Sequence, residues 1–378
     1  MLRSALVVLP ALVAVGCSCN QDYSFPPSET PVVTVPPDYG SWLSMSTAPD
    51  GVRLTMTYYD RDQTGIGFAV GTPQEDGSVE WVHEQVDGYP EDGIDRGDRG
   101  KYTSHAVAPD GKVYAAYQDV QNGVLRAAVR EGPANWTHEQ ADVGTGISST
   151  GAGAWASLAL MSNGLPMVAH HDAASGTLRV AWLTESGWQS EEAWSGADDV
   201  GQYADLYIHE DTAYIAFYDA TNGNLDLLEG SPGSWSHSVI DQSGDVGQWP
   251  SLWADGDEVL VAYQDVGNQD LKLARRVGGS WNLQTLDQGE FRGADTDLFF
   301  MNGQPAIVYF DGQNNDMWLA TTDGSTWSSQ KIGGDDGAVG FHNEVALVDG
   351  KYYAGSYDFT SRTMFLTIVG TTAPAPAE

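Results

Sequence analysis

The chain has 378 residues and a formal net charge of −35 at neutral pH, from 52 acidic and 17 basic side chains. This excess of negative charge makes nucleic acid and anionic lipid surfaces poor partners, whereas cations and neutral ligands such as sugars remain compatible. The 44 glycines, 13 tryptophans and 17 tyrosines favour one large array of short strands over two average domains.

Residues 1–16 are predicted to be an export signal, with one basic residue, Arg3, before an apolar run too short to span a bilayer. The run AVGC, which ends at Cys17, resembles the lipobox of bacterial lipoproteins, and this resemblance implies lipidation of Cys17. Ser18 resembles the residue that directs such proteins to the outer membrane. We therefore expect a lipid-anchored protein at the outer membrane or cell surface, with a secreted or periplasmic protein as the alternative.

Residues 17–30 are predicted to form a flexible tether that is rich in Pro, Ser and Thr. Both cysteines of the chain, Cys17 and Cys19, lie beside the processing site, so the folded body must be stabilised by packing rather than by disulfides. At the other end, residues 371–378 are predicted to be a disordered tail.

A repeat of 46 to 59 residues organises the region between, residues 31–370. An aspartate marks each of seven copies, and apolar residues six and eight positions later predict a strand with one buried face. A tryptophan 16 or 17 positions after five of the aspartates marks a further strand. The aspartates are Asp60, Asp119, Asp172, Asp219, Asp265, Asp311 and Asp358, and the tryptophans are Trp136, Trp188, Trp235, Trp281 and Trp327. Four short strands in each of seven units predict an all-β fold, a seven-bladed β-propeller.

The seventh unit ends after its third strand, near Val369. Counting back from the first innermost strand, the β-branched run PVVTV at residues 31–35 lies where the missing strand should be. We predict that this N-terminal strand completes the last blade and leaves no sheet edge open.

The turn TTDGSTW at residues 321–327 is close to the Asp-box pattern S-x-D-x-G-x-T-W, and the turns TESGW, SPGSW and VGGSW keep its Gly and Trp. On these turns the chain resembles, over residues 40–370, bacterial propellers with BNR-like or Asp-box-like repeats. That class includes surface lectins and sialidase-type enzymes, so the resemblance implies binding of glycan or action on it. A sialidase would need three arginines above the channel, and the innermost strands carry no Arg near the aligned channel positions.

The repeated aspartates are interpreted as scaffolding, since a carboxylate at a strand end accepts N–H groups from its own turn; seven equal binding sites are the alternative. His170 stands where other repeats have Tyr or Phe, so we interpret it as a packed substitute rather than a metal ligand. In the DRDQTG loop, Asp60, Asp62 and Thr64 match the opening of a calcium loop, but Gly71 replaces the closing acid. No cofactor is expected, with calcium in this loop as the alternative.

Function is expected at the mouth of the central channel, where innermost strands and blade-to-blade loops meet. The aligned innermost positions are Ser44, Ser104, Ser157, Asp205, Ser251, Asp297 and Glu344. Asp205, Asp297 and Glu344 are candidate ligand-binding residues. The long loop from Gly88 to Lys101 adds three further candidates, Asp95, Arg96 and Asp98.

These features predict an extracytoplasmic binding or scaffolding module whose partner is a glycan or a protein at the cell surface. The membrane contact is expected through the lipid anchor alone. One alternative is a glycan-active hydrolase or lyase that uses the channel carboxylates, and another is a purely structural surface protein. Catalysis is the less favoured interpretation, because no G-x-S-x-G, Walker or H-E-x-x-H motif occurs in the sequence.

Overall fold

The computed structural model describes residues 38–89, 97–145, 151–195 and 199–372. Within these ranges the chain forms 27 strands and no helix, and within each sheet consecutive strands pair antiparallel. The strands form seven sheets, which are the blades of a propeller ring; six have four described strands and the last has three. The predicted all-β, seven-bladed β-propeller is confirmed. The same ranges contain no helix that is long and apolar enough to cross a membrane.

In chain order, the innermost strand of each blade comes first. Blade 1 contains β1 (Tyr39–Thr47), β2 (Leu54–Asp60), β3 (Gly65–Pro73) and β4 (Val79–Asp87). Blade 2 contains β5 (Arg99–Val107), β6 (Val113–Asp119), β7 (Val124–Gly132) and β8 (Asn135–Asp142). Blade 3 contains β9 (Ala152–Leu160), β10 (Pro166–Asp172), β11 (Thr177–Thr184) and β12 (Gly187–Trp194). Blade 4 contains β13 (Val200–His209), β14 (Thr212–Asp219), β15 (Asn224–Ser231) and β16 (Ser234–Asp241). Blade 5 contains β17 (Val246–Asp255), β18 (Glu258–Asp265), β19 (Asp270–Val277) and β20 (Ser280–Asp287). Blade 6 contains β21 (Arg292–Met301), β22 (Gln304–Asp311), β23 (Asp316–Thr322) and β24 (Trp327–Gly333). Blade 7 contains β25 (Phe341–Val348), β26 (Lys351–Asp358) and β27 (Thr363–Thr371).

The hydrophobic core lies between adjacent blades. The second strand of each blade packs against both neighbours, so β2, β6 and β10 are buried along their whole length. One core cluster, for example, joins Val180 of blade 3 to Ile215 and Phe217 of blade 4. The outermost strands β8 and β20 are mostly exposed, and they are buried or half-buried only at the tryptophan in their second position and at their last two residues. This packing holds the innermost strands in a fixed ring.

The seven repeated aspartates end the second strand of each blade and bind the turn that follows. Asp219 Oδ1 accepts the backbone N–H groups of Thr221 at 2.9 Å and Asn222 at 3.0 Å, and its Oδ2 accepts the Asn222 side-chain amide at 2.7 Å. The other six carboxylates accept at least one N–H from the same turn positions. These are the contacts expected of scaffolding.

His170 and the repeated tryptophans also have structural partners. His170 Nε2 lies 3.1 Å from Asp142 Oδ2, where Tyr117 and Tyr263 in other blades donate to the equivalent aspartates. The indole N–H groups of Trp136 and Trp235 bind Glu84 and Glu191 of the preceding blade. The remaining three tryptophans are half-buried against core clusters, namely Trp188, Trp281 and Trp327.

The junction from blade 7 back to blade 1 has the same backbone hydrogen bond as the other six junctions. Tyr39 donates its backbone N–H to the Arg362 carbonyl at 3.1 Å, as Val246 does to Gly223 at 3.0 Å. The Asp38 carboxylate accepts the Tyr357 hydroxyl at 2.7 Å, as Asp245 accepts that of Tyr218. The strand predicted to complete blade 7, at residues 31–35, lies outside the described residues.

Candidate functional site

A cavity of about 390 Å³ lies on the propeller axis and is lined by all seven innermost strands. It contains every channel position that the sequence alignment of the repeats identified. These are Ser44, Ser104, Ser157, Asp205, Ser251, Asp297 and Glu344. The seven-fold register of the repeat was therefore sufficient to bring the three candidate acids into one space.

The same seven side chains join neighbouring blades. The Ser251 hydroxyl oxygen accepts the backbone N–H of Leu298 in the next blade at 2.9 Å, and Asp205 accepts that of Leu252 at 2.7 Å. Equivalent hydrogen bonds link all the remaining pairs of neighbouring blades. The bond from the Met45 N–H in blade 1 to Glu344 in blade 7 completes the ring. The channel acids thus have a structural role in addition to any contact with a ligand.

Four carboxyl groups face this cavity, namely those of Asp205, Asp295, Asp297 and Glu344. Burial raises the pKa of Asp205 to about 6 and those of Asp295 and Asp297 to about 7. Burial, followed by the charges of Asp297 and Asp205, raises the pKa of Glu344 well above its usual range. No Lys or Arg occurs among the described residues that line the cavity.

A second ring of side chains surrounds the cavity two residues before the aligned positions, and we call it the belt. Its members are Trp42, Tyr102, Trp155, Tyr203, Trp249, Asp295 and His342. The ring centroids of consecutive aromatic members are 4.8 to 5.3 Å apart, from Trp42 round to Trp249. The ring centroids of His342 and Trp42 are 5.5 Å apart. All seven members of the belt are half-buried.

Each belt residue lies at a β-bulge in the pairing of the first and second strands, and its backbone is left-handed. The seven φ angles fall between 46° and 55°. Such angles are uncommon for residues with a Cβ atom, and Asp, Asn and His tolerate them best. Asp295 and His342 belong to this tolerant group, whereas the five aromatic members do not.

The belt is not among the residues predicted from the sequence, although the sequence contains a signal for it. The pattern G-x-[WYDH]-x-[SDE] occurs seven times, beginning at Gly40, Gly100, Gly153, Gly201, Gly247, Gly293 and Gly340. The glycine is required by close packing: it has a positive φ, and a Cβ on Gly247 would lie 2.7 Å from the Cα of Leu225. The bulge that follows sets the third residue of the pattern at the cavity.

The belt lies at the end of the channel that carries the aspartate turns. Trp42 packs edge-on against Tyr59, which precedes Asp60, and Trp155 lies 5.4 Å from His171, which precedes Asp172. Among the loop candidates, Asp98 accepts the Tyr59 hydroxyl at 2.8 Å and pairs with Lys101 at 2.7 Å. Asp95 and Arg96 lie outside the described residues.

The structure does not bring the calcium candidates to a common centre. Asp60 Oδ1 accepts the backbone N–H groups of Asp62 and Gln63, and the Asp62 carboxylate pairs with Arg362 at 3.0 Å. The Thr64 hydroxyl donates to the Gln63 carbonyl at 2.7 Å. Over the described ranges, no group of three or more His, Cys, Asp or Glu side chains could hold a metal ion.

Comparison with known proteins shows the fold alone. No family model and no curated protein sequence matches this chain. A lectin of Aleuria aurantia in complex with alpha-methyl-L-fucoside is similar at 15% identity, over 79% of this chain and 97% of that one, with a TM-score of 0.51. The polysaccharide lyase Uly1 is similar at 10% identity over 84% and 88%, with a TM-score of 0.52. The Hadza microbial sialidase Hz136 is similar at 13% identity over 78% and 66%, with a TM-score of 0.50.

Proposed function

We propose that this chain is a carbohydrate-binding propeller that holds a glycan at the belt. The observation that carries this proposal is the set of five Trp and Tyr rings around one end of the channel. A sugar ring has an apolar C–H face that packs on an aromatic ring, and hydroxyl groups that need polar partners. The serines and acids two residues deeper in the cavity supply such partners.

The backbone of the belt supports a functional role for its aromatic members. A left-handed conformation costs a residue with a Cβ atom about 1–2 kcal/mol, and Trp and Tyr gain nothing in return from the bulge itself. Gly, Asn or Asp would fit the same bulge with less strain. Five strained aromatic residues at one cavity are explained if their rings contact a ligand.

The fold neighbours make glycan the first ligand class to test, since they include a fucoside-bound lectin, a polysaccharide lyase and a sialidase. A sugar is also compatible with the net charge of −35. In the same proposal, the propeller is tethered at the outer membrane or cell surface through a lipid on Cys17. That part rests on the lipobox-like run at the N-terminus, which lies outside the described residues.

The test is binding of the full chain to a glycan array, followed by a pair of tryptophan variants in blade 3. Trp155→Ala removes a belt ring and should weaken binding of the best glycan at least tenfold. Trp188→Ala removes a tryptophan from the outermost strand of the same blade. This variant should bind the glycan with the same affinity as the wild type. Thermal melting of both variants checks that they fold. The proposal is wrong if Trp155→Ala binds as tightly as the wild type, or if the array shows no glycan bound.

A second candidate function is cleavage of the bound glycan, either by hydrolysis or by the elimination reaction of a lyase. The raised pKa values of Asp205 and Asp297 favour it, because a general acid must be protonated near its working pH. Incubation of the wild type with its array ligand, followed by mass spectrometry, would detect cleavage products. Products that form with the wild type but not with the Asp297→Asn variant would support catalysis. If the wild type leaves the ligand intact, binding without catalysis is supported.

A further inference from the structure

The described body pairs many of its buried acids with cations. Asp119 pairs with Arg99 at 3.0 Å, Asp142 with Arg179 at 2.7 Å, and the same holds for three further buried acids, Glu84, Asp241 and Asp311. A chain with only 17 basic residues thus places several of them beside structural carboxylates. The four acids of the channel differ from these. They accept backbone N–H groups, but no Lys or Arg lies among the described residues of the cavity.

His342 does not supply the missing charge. Its Nδ1 lies 3.7 Å from Asp295 Oδ1, which is too long for a hydrogen bond. Burial, together with the charge of Arg61, lowers the pKa of His342 to about 4, so the imidazole is neutral near pH 7. When ionised, Asp205, Asp297 and Glu344 repel one another across the channel, and this repulsion adds to the effect of burial in raising the pKa values of Asp297 and Glu344. A positive charge brought by a ligand would favour the ionised form of these groups.

Two further side chains of the same cavity are short of partners. The Thr103 hydroxyl and the Asn343 amide oxygen have no hydrogen-bond partner in the described part of the chain, although the two residues are only 5% and 6% exposed. Asn343 is held beside Asp295, because its amide nitrogen donates to the Asp295 carbonyl at 2.8 Å. An unpartnered buried acceptor in the same cavity as four carboxyl groups favours a ligand with several N–H donors.

The belt adds the second half of a cation site. Aromatic faces attract ammonium groups, and this attraction strengthens when the group is removed from water. Asp295 interrupts the aromatic series directly after Trp249, so a cation on the Trp249 ring would also meet a carboxylate. A sugar acid would instead face four carboxyl groups, and an N-acetyl group would bring no charge.

We propose that the glycan bound at the belt carries a free, protonated amino group, so that the site selects amino sugars over neutral, N-acetylated and acidic ones. This inference rests on the proposed glycan-binding function. The ammonium contacts the belt rings and the Asp295 carboxylate, while the sugar ring stacks on the neighbouring tryptophans.

The experiment is calorimetric titration of the full chain, near neutral pH, with four probes. These are a glucosamine trimer with free amines, the N-acetylglucosamine trimer, a glucose trimer and tetramethylammonium. The glucosamine trimer should bind at least tenfold more tightly than either other trimer. In Asp295→Asn this preference should fall below threefold, and Asn tolerates the left-handed backbone, so the bulge should be kept. The control Glu80→Gln removes one charge from an exposed position of β4 and should keep the preference.

The outcomes separate this inference from the proposed function. Equal affinity for the free and acetylated trimers overturns the inference and leaves glycan binding in place. Tetramethylammonium binding without any trimer binding overturns the inference, because the site would bind a cation but none of these sugars, and the glycan array then tests the proposed function. If no probe binds, amino-sugar selection is wrong, and the glycan array remains the test of the proposed function. A preference that survives in Asp295→Asn also contradicts the inference.

Discussion

At the scale of single residues, the channel acids link the stability of the propeller to pH. The pKa of Asp297 in the folded protein is about 7, whereas an unfolded aspartate titrates near pH 4. Between these values the folded state binds more protons than the unfolded state, so the free energy of unfolding falls as the pH rises. Asp205 and Glu344 act in the same direction.

Removal of the charge at Asp297 should therefore stabilise the protein at high pH. Asp297→Asn keeps an oxygen that accepts the Val345 N–H. The variant should raise the free energy of unfolding by about 1–2 kcal/mol at pH 8 and should change it little at pH 4. Urea denaturation at the two pH values measures this difference. Glu80→Gln, a control for the loss of one negative charge, should change stability by less than about 0.5 kcal/mol at either pH. If Asp297→Asn lowered the free energy of unfolding equally at both pH values, the charge of Asp297 would not be what links stability to pH.

At the scale of elements, the junction between blades 7 and 1 indicates where a further strand should lie. In blades 4 and 5 the outermost strand ends at Asp241 and Asp287, five residues before Val246 and Arg292, which donate to the preceding turns. Tyr39 is the equivalent donor at the blade 7 junction. The same spacing predicts that an outermost strand of blade 7 would end near residue 34.

We therefore keep the prediction that residues 31–35 complete blade 7. Deletion of residues 30–36 should expose the edge of β27 and lower the melting temperature by roughly 5 °C or more, since 1 kcal/mol corresponds to about 2–4 °C in a large domain. Deletion of the same number of residues from the tether, 21–27, should leave melting unchanged. Equal melting temperatures of the two deletion variants would exclude the closing strand.

The strands could be predicted from the sequence because a period-two apolar pattern recurs with the same aspartate seven times. The register of that repeat also brought Asp205, Asp297 and Glu344 to the channel. The belt could not be found in the same way, since an aromatic residue in a strand is usually a core residue, and a bulge breaks the alternation on which the prediction depends. Trp155 faces the cavity only because its backbone is left-handed, which no propensity favours.

At the scale of the whole molecule, the net charge of −35 makes direct adsorption to anionic membranes unfavourable. If residues 1–16 direct export as predicted, membrane association should therefore depend on the lipid predicted at Cys17, because each buried methylene contributes about 0.8 kcal/mol. Cys17→Ser should abolish palmitate labelling and move the protein to the soluble fraction after export. Cys19→Ser is the matched control and should remain labelled. Unchanged membrane partition of Cys17→Ser would contradict the lipid anchor.

The left-handed belt has a consequence for how this protein changes over generations. Replacement of a belt tryptophan by Asn or Gly would relieve strain at the bulge, so mutation alone should tend to remove these rings while improving the fold. Only selection for a ligand opposes that drift. A lineage that lost the need for the ligand should keep its blades, its aspartate turns and its closed ring, and should lose its aromatic belt first.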